Sequence, residues 1–225
     1  MSESVCPLCF SIQTKLYHRE QRPKVLARDY HRCQNCQLVF VPAAFHLQPE
    51  AEKAVYDQHQ NDPQDRHYRR FLNRLCEPVL AKLSNGAQGL DFGCGPGPTL
   101  ALLFEDAGHA CANYDLYYCN QPDVLQQSYD FICSTEVFEH LSEPGQIAAQ
   151  LVALLKPGGW LALMTKRLTT DDAFPNWHYT LDPTHITFFA DESFRWLAKH
   201  HQLKLEFHGP DVVLLQKQPV TIKTP

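Results

Sequence analysis

Apolar positions along this chain keep two different periods. Tyr68, Phe71, Leu72, Leu75, Cys76, Val79, Leu80 and Leu83 recur at three- and four-residue steps. That spacing predicts one amphipathic helix, which Asn85-Gly86 ends. Beyond it, short apolar runs alternate with helical patterns. Residues 89–92, 110–115, 129–134 and 160–165 read as strands, and 99–106, 146–155 and 192–201 as helices. Two further strands, 204–207 and 212–215, follow the last helix. This alternation over residues 65–217 predicts an α/β domain with a doubly wound, mostly parallel sheet. Residues 1–45 form a different region, with short alternating segments rich in Cys, His, Arg and Tyr and a strand-like Leu38-Val39-Phe40-Val41. Residues 46–64 read as a polar connector, and 218–225 as a tail.

With 225 residues, 44% hydrophobic and 20% charged, the chain has ordinary globular composition. No apolar run approaches the ~20 residues needed to span a bilayer. Met1-Ser2-Glu3-Ser4 lacks the basic and apolar run of a signal peptide, so a cytoplasmic protein without a membrane partner is expected. Net charge is −5 with a pI near 6.2, which argues against a nucleic-acid coat. Residues 1–45 nonetheless hold six Lys/Arg against three Asp/Glu, while the remainder holds fourteen against twenty-two.

Nine cysteines without an export signal point to metal or free thiols. Cys6-x2-Cys9 and Cys33-x2-Cys36 form two tight pairs separated by 23 residues. Four thiolates close a tetrahedral zinc shell, and so small a region lacks the core to stand alone, so a structural zinc in a ribbon is predicted. A closed four-cysteine shell has no open position for catalysis. Cys76, Cys94, Cys111, Cys119 and Cys133 are expected to pack as reduced thiols.

Between the predicted strand 89–92 and the next helix stands Asp91-Phe92-Gly93-Cys94-Gly95-Pro96-Gly97, a turn where a ligand can approach the backbone and a helix N-terminus. Asp115 ends the following strand, where a carboxylate can accept ribose hydroxyls. With Tyr129-Asp130-Phe131-Ile132 and Leu154-Leu155-Lys156-Pro157-Gly158-Gly159, these motifs make residues 65–217 resemble the class I S-adenosylmethionine-dependent methyltransferases, of the type 23 kind. The resemblance implies a seven-stranded sheet with the cofactor at its switch point. It also implies that Gly93, Cys94, Gly95 and Gly97 approach the methionine moiety, Asp91 its amine, and Asp115 the ribose. Glu136, just past the third predicted strand, joins that cofactor set. Only thirteen residues separate Asp115 from Tyr129, where the family usually fits a helix and a strand. The adenine contact, with Asp123 as one option, is left open.

Glu136, Glu139 and His140 follow the strand ending at Ser134 at one-turn spacing. Two carboxylates and an imidazole could hold a divalent ion with positions open for substrate. Equally, Glu139 could serve as a cap and His140 as packing. The stretch from Trp177 to Phe189 adds His178, His185 and several aromatics in what reads as a lid or substrate loop. Glu136-Val137-Phe138-Glu139-His140-Leu141 with His185 resembles the metal site of the small-RNA 3′-terminal 2′-O-methyltransferases. Its Glu-x-x-Glu-His part is also similar to the ubiquinone-biosynthesis O-methyltransferases. That likeness implies Glu136, Glu139, His140 and His185 as ligands of Mg2+ or Mn2+; without an ion, His140, His178 and His185 are the candidate bases.

The expected activity is therefore methyl transfer from S-adenosylmethionine, chiefly to a hydroxyl of a small molecule such as a vicinal diol or catechol. The cysteine pairs and the segment around them resemble ribbons that precede methyltransferase domains in bacterial sugar and small-molecule pathways. Ribbons also precede some ribosomal-RNA methyltransferases, so RNA is the alternative substrate. The third reading is a cofactor-binding protein whose chemistry is lost.

Overall fold

In the computed structural model, residues 4–23, 25–58 and 61–219 are described. The elements in chain order are β1 (Thr14–Arg19), β2 (Asp29–Cys33), β3 (Val39–Phe40), α1 (Pro49–Tyr56), α2 (Arg66–Leu80), β4 (Gln88–Phe92), α3 (Thr99–Asp106), β5 (Ala110–Tyr114) and β6 (Tyr129–Thr135). They continue with α4 (Pro144–Leu154), β7 (Leu155–Met164), β8 (Thr187–Phe188), α5 (Asp191–His200), β9 (Leu203–His208) and β10 (Val212–Lys217). No described helix is long and apolar enough to cross a membrane. By its internal contacts the chain divides into two units. The first comprises residues 1–59, 136–148 and 165–197, and the second 60–135, 149–164 and 198–225.

The second unit is built on a six-stranded sheet in the order β5-β4-β6-β7-β10-β9. β5, β4, β6 and β7 run parallel, and β10 is antiparallel to both β7 and β9. The predicted helix stripe is the buried face of α2: Leu72, Leu75, Cys76 and Val79 pack with Leu100 and Phe104 of α3 and with Phe131, Ala162 and Leu214 of the sheet. Asp65 starts α2 by accepting the His67 N–H at 2.7 Å. Two of the recognised motifs touch: Lys156 donates to Asp130 at 2.9 Å, and the same carboxylate oxygen accepts the Gln88 N–H at 2.9 Å. Gly89 is required by packing, because a Cβ there would lie 2.1 Å from the Phe131 ring.

The strand count corrects one expectation. Six strands, not seven, form this sheet among the described residues. Between β5 and β6 the chain has room only for a turn, in which Asp115 and Cys119 exchange backbone hydrogen bonds at 3.0 and 3.1 Å, and a 3-10 turn, Pro122–Gln126. An additional helix and strand do not fit in that length.

The first unit carries a four-stranded antiparallel sheet, β1-β2-β3-β8. Its last strand comes from the segment read as a lid loop, with Val39 opposite Phe188 and Phe40 opposite Thr187. Tyr30, Val39, Val41, Leu168, Phe174, Tyr179, Ile186 and Phe188 form its core. The polar stretch expected to be a connector contains α1, which starts with Pro49 at its first position and has Glu50 and Glu52 in the first turn.

Candidate functional site

In the second unit, β4 carries Asp91 to the carboxyl end of the parallel strands, and the glycine turn follows. Gly93 (φ 84°) and Gly95 (φ 62°) adopt left-handed backbone, which explains glycine at both. The N–H groups of Gly93 and Cys94 donate to the Tyr114 carbonyl at 2.7 and 3.2 Å. One Asp115 oxygen accepts the Gly95 N–H at 3.0 Å; the other accepts those of Tyr117 and Tyr118 at 2.8 and 3.1 Å. Asp115 thus already braces the glycine turn through the backbone. Asp91 is 2% exposed, and its Oδ1 has no hydrogen-bond partner. Burial, with a smaller contribution from the Asp115 charge, pushes its carboxyl up to about 7. A buried carboxylate oxygen without a donor, next to a glycine turn, matches the need of a cationic ligand such as an aminoacyl ammonium. Burial also pushes the Cys94 thiol up, which marks it as unreactive.

Asn61 is a neighbour of this turn that sequence patterns do not reveal. A Cβ on Gly97 would lie 1.9 Å from the Asn61 carbonyl oxygen, and one on Gly95 would meet its Nδ2 at 3.0 Å. The glycine at 97 is therefore demanded by the chain itself, whatever ligand approaches. Asp123 is exposed within the Pro122–Gln126 turn.

In the first unit, the Sγ atoms of Cys6, Cys9, Cys33 and Cys36 all lie within 4.8 Å of one another. Cys6 and Cys36 are 3.5 Å apart, and Cys9 and Cys33 3.4 Å. These separations approach the ~3.8 Å edge of a tetrahedron with Zn–S bonds of about 2.3 Å. The four donors fit zinc.

A second cluster brings together Glu139, His140 and His185, again with one donor atom each within 4.8 Å. Where one helical turn is expected to carry Glu136, Glu139 and His140, Glu139 and His140 sit in a 3-10 turn, Phe138–His140, that leaves Glu136 outside it. The turn is tied to the later segment by Ile186 N–H to the Glu139 carbonyl at 2.8 Å and Thr187 Oγ1 to the Phe138 carbonyl at 2.7 Å. His140 Nδ1 meets the Thr184 carbonyl at 3.2 Å, and His185 Nδ1 meets the Tyr179 carbonyl at 2.7 Å. With Nδ1 protonated toward a carbonyl in each ring, Nε2 carries the lone pair, the arrangement that metal-binding histidines use. Glu139 is fully buried; Tyr179 Oη donates to its Oε1, while its Oε2 has no partner. Burial, with help from the Glu136 charge, raises Glu139 to about 8, and burial lowers His185. Two imidazoles and a carboxylate with one oxygen unsatisfied fit a divalent cation of the Mn2+ type.

Glu136 is not part of that cluster. It follows β6 with φ 52°, a left-handed conformation unusual for a side-chain-bearing residue and typical of functional turns. His178 is also outside the cluster; it is exposed, and its Nε2 accepts from Lys166 Nζ at 2.6 Å. Tyr179, which links Glu139 to Thr165 Oγ1 at 3.1 Å, was not singled out by sequence reasoning. Its place next to His178 in the aromatic stretch was the available signal.

The profile of a family described as "Methyltransferase domain" matches residues 58–207. No curated protein sequence matches the chain. Among solved structures, the 1,6-didemethyltoxoflavin-N1-methyltransferase of Burkholderia thailandensis, determined with S-adenosylhomocysteine, is similar at a TM-score of 0.54 and 15% identity, covering 82% of this chain and 97% of that one. A protein of Pyrococcus horikoshii gives 0.52 and 16% over 74% and 98%. The magnesium protoporphyrin IX methyltransferase of Synechocystis PCC 6803 gives 0.50 and 16% over 74% and 92%. These identities establish a shared fold. With the family match spanning most of the chain, the protein belongs to the methyltransferase-domain family and is an S-adenosylmethionine-dependent methyltransferase.

Proposed function

We propose that this methyltransferase methylates a hydroxyl oxygen of a small molecule carrying adjacent oxygens, a vicinal diol or catechol. The observation that carries this reading is the convergence of Glu139, His140 and His185, with both imidazole Nδ1 atoms tied to backbone carbonyls. In the reaction the methyl–sulfur bond of S-adenosylmethionine breaks, an oxygen–methyl bond forms, and the hydroxyl loses its proton. Asp91 meets the cofactor's ammonium, the turn through Gly93, Cys94, Gly95 and Gly97 lies along its methionine moiety, and Asp115 accepts ribose hydroxyls while bracing the turn. Glu139, His140 and His185 hold a divalent ion, Mn2+ in preference to Mg2+ because two donors are nitrogen. An ion bound there would acidify a coordinated hydroxyl and fix its orientation. His178, outside the ligand set, takes the released proton by exchanging its Lys166 partner. Cys6, Cys9, Cys33 and Cys36 hold structural zinc.

The small-molecule reading agrees with the substrates named for the toxoflavin and magnesium protoporphyrin enzymes of the same fold. RNA has one feature in its favour, a cavity of about 540 Å3 along α2 lined by Arg66, Arg69, Arg70 and Arg74. Its positive charge is largely cancelled, because Arg69 pairs with Asp106, Arg74 with Asp211, and Glu77 also lines the cavity. Radiolabelled methyl transfer to a panel of catechols and ribose diols tests the proposal. Turnover should fall after chelation and return with Mn2+. Chelator-resistant turnover together with full activity of Glu139→Ala would overturn the metal-assisted version. Salt-sensitive retention of RNA and methylation of RNA in place of the panel would overturn the substrate class.

A further inference from the structure

Arg28, at the residue before β2, is 2% exposed, yet no carboxylate forms an ion pair with it among the described residues. All its donors are directed at one short segment and one ring. Nη1 donates to the carbonyls of Pro183 and His185, each at 3.0 Å. Nη2 donates to those of Thr180 and Asp182 at 2.9 and 3.0 Å, and Nε to Tyr30 Oη at 2.8 Å. A buried guanidinium is costly unless every N–H is satisfied, and here four main-chain carbonyls within residues 180–185, with the Tyr30 hydroxyl, supply the acceptors. The Tyr179 carbonyl, just before these four, takes His185 Nδ1, and the Thr184 carbonyl, between the last two of them, takes His140 Nδ1.

Two further residues from the same part of the chain hold the flanks of that segment. Arg22 donates to Thr180 Oγ1 at 2.6 Å, and Arg32 makes two bonds to Asp171 at 2.7 and 2.8 Å. Arg28 precedes β2, and β2 ends at Cys33, one of the four clustered thiols. The cysteine cluster, the strand and the clamp on the His185 segment are thus continuous along six residues of chain, 28–33.

We propose that Arg28 is a positioning residue that fixes the main chain around His185, and that the cysteine-rich segment is thereby a scaffold for the acceptor site rather than a separate substrate-gripping module. This rests on the reading of His185 as a ligand in methyl transfer. The planar fork is what the site requires: a lysine keeps the charge but cannot span carbonyls on both sides.

The test compares the full-length protein with Arg28→Ala and Arg28→Lys. The ring-nitrogen NMR shifts of His185 at pH 8, in metal-free protein, report its tautomer independently of catalysis or metal. In the wild type a single Nδ1–H tautomer is expected. In both variants it should become mixed, Mn2+ affinity should drop at least tenfold, and kcat should fall more than KM for S-adenosylmethionine changes. Binding of S-adenosylhomocysteine should stay within about twofold, and millimolar guanidinium should restore part of the tautomer signal to Arg28→Ala. If Arg28→Ala does not fold, Arg28→Lys decides. An unchanged His185 tautomer in a folded, zinc-loaded variant overturns the proposal, as does failure of both variants to fold. A wild type that binds no Mn2+, with the tautomer still becoming mixed in the variants, would remove the metal reading while the positioning role stands.

Discussion

Asp91, at the end of β4, and Asp115, just beyond β5, place two carboxylates at the tips of neighbouring parallel strands, and only Asp115 is satisfied by the backbone. Burial first, and the Asp115 charge second, raise Asp91 to about 7. An acid whose folded value lies above its unfolded value binds the extra proton in the native state, so it costs stability as pH rises. That loss begins near pH 4 and is complete above about 7, on the order of 4 kcal/mol. A ligand ammonium reverses the preference. Affinity for S-adenosylhomocysteine should therefore rise between pH 6 and 8 with release of a proton, read as a buffer-dependent heat in calorimetry. Asp91→Asn should melt higher than the wild type at pH 8 without ligand, bind weakly and show no pH dependence. A flat wild-type profile would refute this assignment of Asp91.

Gly97 is held against Asn61 so closely that no side chain fits. Backbone, not a flexible tip, blocks the Cβ, so Gly97→Ala must move the segment before α2 or the turn itself. The expected cost is about 1–3 kcal/mol, with at least a tenfold loss of S-adenosylhomocysteine affinity. Gly108→Ala is the control: its φ of 86° is strained, but nothing lies within 4 Å of the new Cβ, so it should lose stability without losing affinity. Thermal melts with and without ligand separate the two.

What could be read from the sequence was local. The α2 stripe gives the buried face Leu72, Leu75, Cys76 and Val79 because helix periodicity acts within a few residues. The two cysteine pairs, the glycine turn and the strands β4 to β7 were legible for the same reason. α1 was not, since none of its residues is buried and few of them are large and apolar. The pairing of β3 with β8 was also hidden, because two-residue strands carry no period and their partners are far apart in the chain. The site divides in the same way. The spacing of Glu139 and His140 is local, whereas Tyr179 on Glu139 and Arg28 around His185 arise only from tertiary contact.

The four thiols predict about one zinc per chain. Cys33 is buried at the end of β2, so Cys33→Ser should lose the metal, lower the melting temperature and disturb residues 14–19, 29–33, 39–40 and 187–188, the strands of its sheet. Hydrogen exchange should show that loss most strongly in β1, β2 and β8. Retention of a full equivalent of zinc by this variant, measured by mass spectrometry of the native protein, would contradict four-cysteine ligation.

Tyr179 tests the second cluster without touching a ligand atom. Its hydroxyl donates to Glu139 Oε1 and faces Thr165 Oγ1, its carbonyl accepts His185 Nδ1, and its ring packs on that imidazole with centroids 4.2 Å apart. Tyr179→Phe keeps the ring and the carbonyl and removes only the hydroxyl. Glu139 then loses the Tyr179 hydroxyl as a donor inside a fully buried site. An outer hydrogen bond of this kind is worth about 10- to 100-fold in metal affinity. Mn2+ binding by calorimetry should weaken within that range, S-adenosylhomocysteine binding should be unaffected, and the metal requirement for turnover should shift to higher concentration. Tyr179→Ala should do more, because the ring that orients His185 also disappears. Equal Mn2+ affinity in the wild type and Tyr179→Phe would mean that Glu139 does not ligate the ion, and the cluster would reduce to its two histidines.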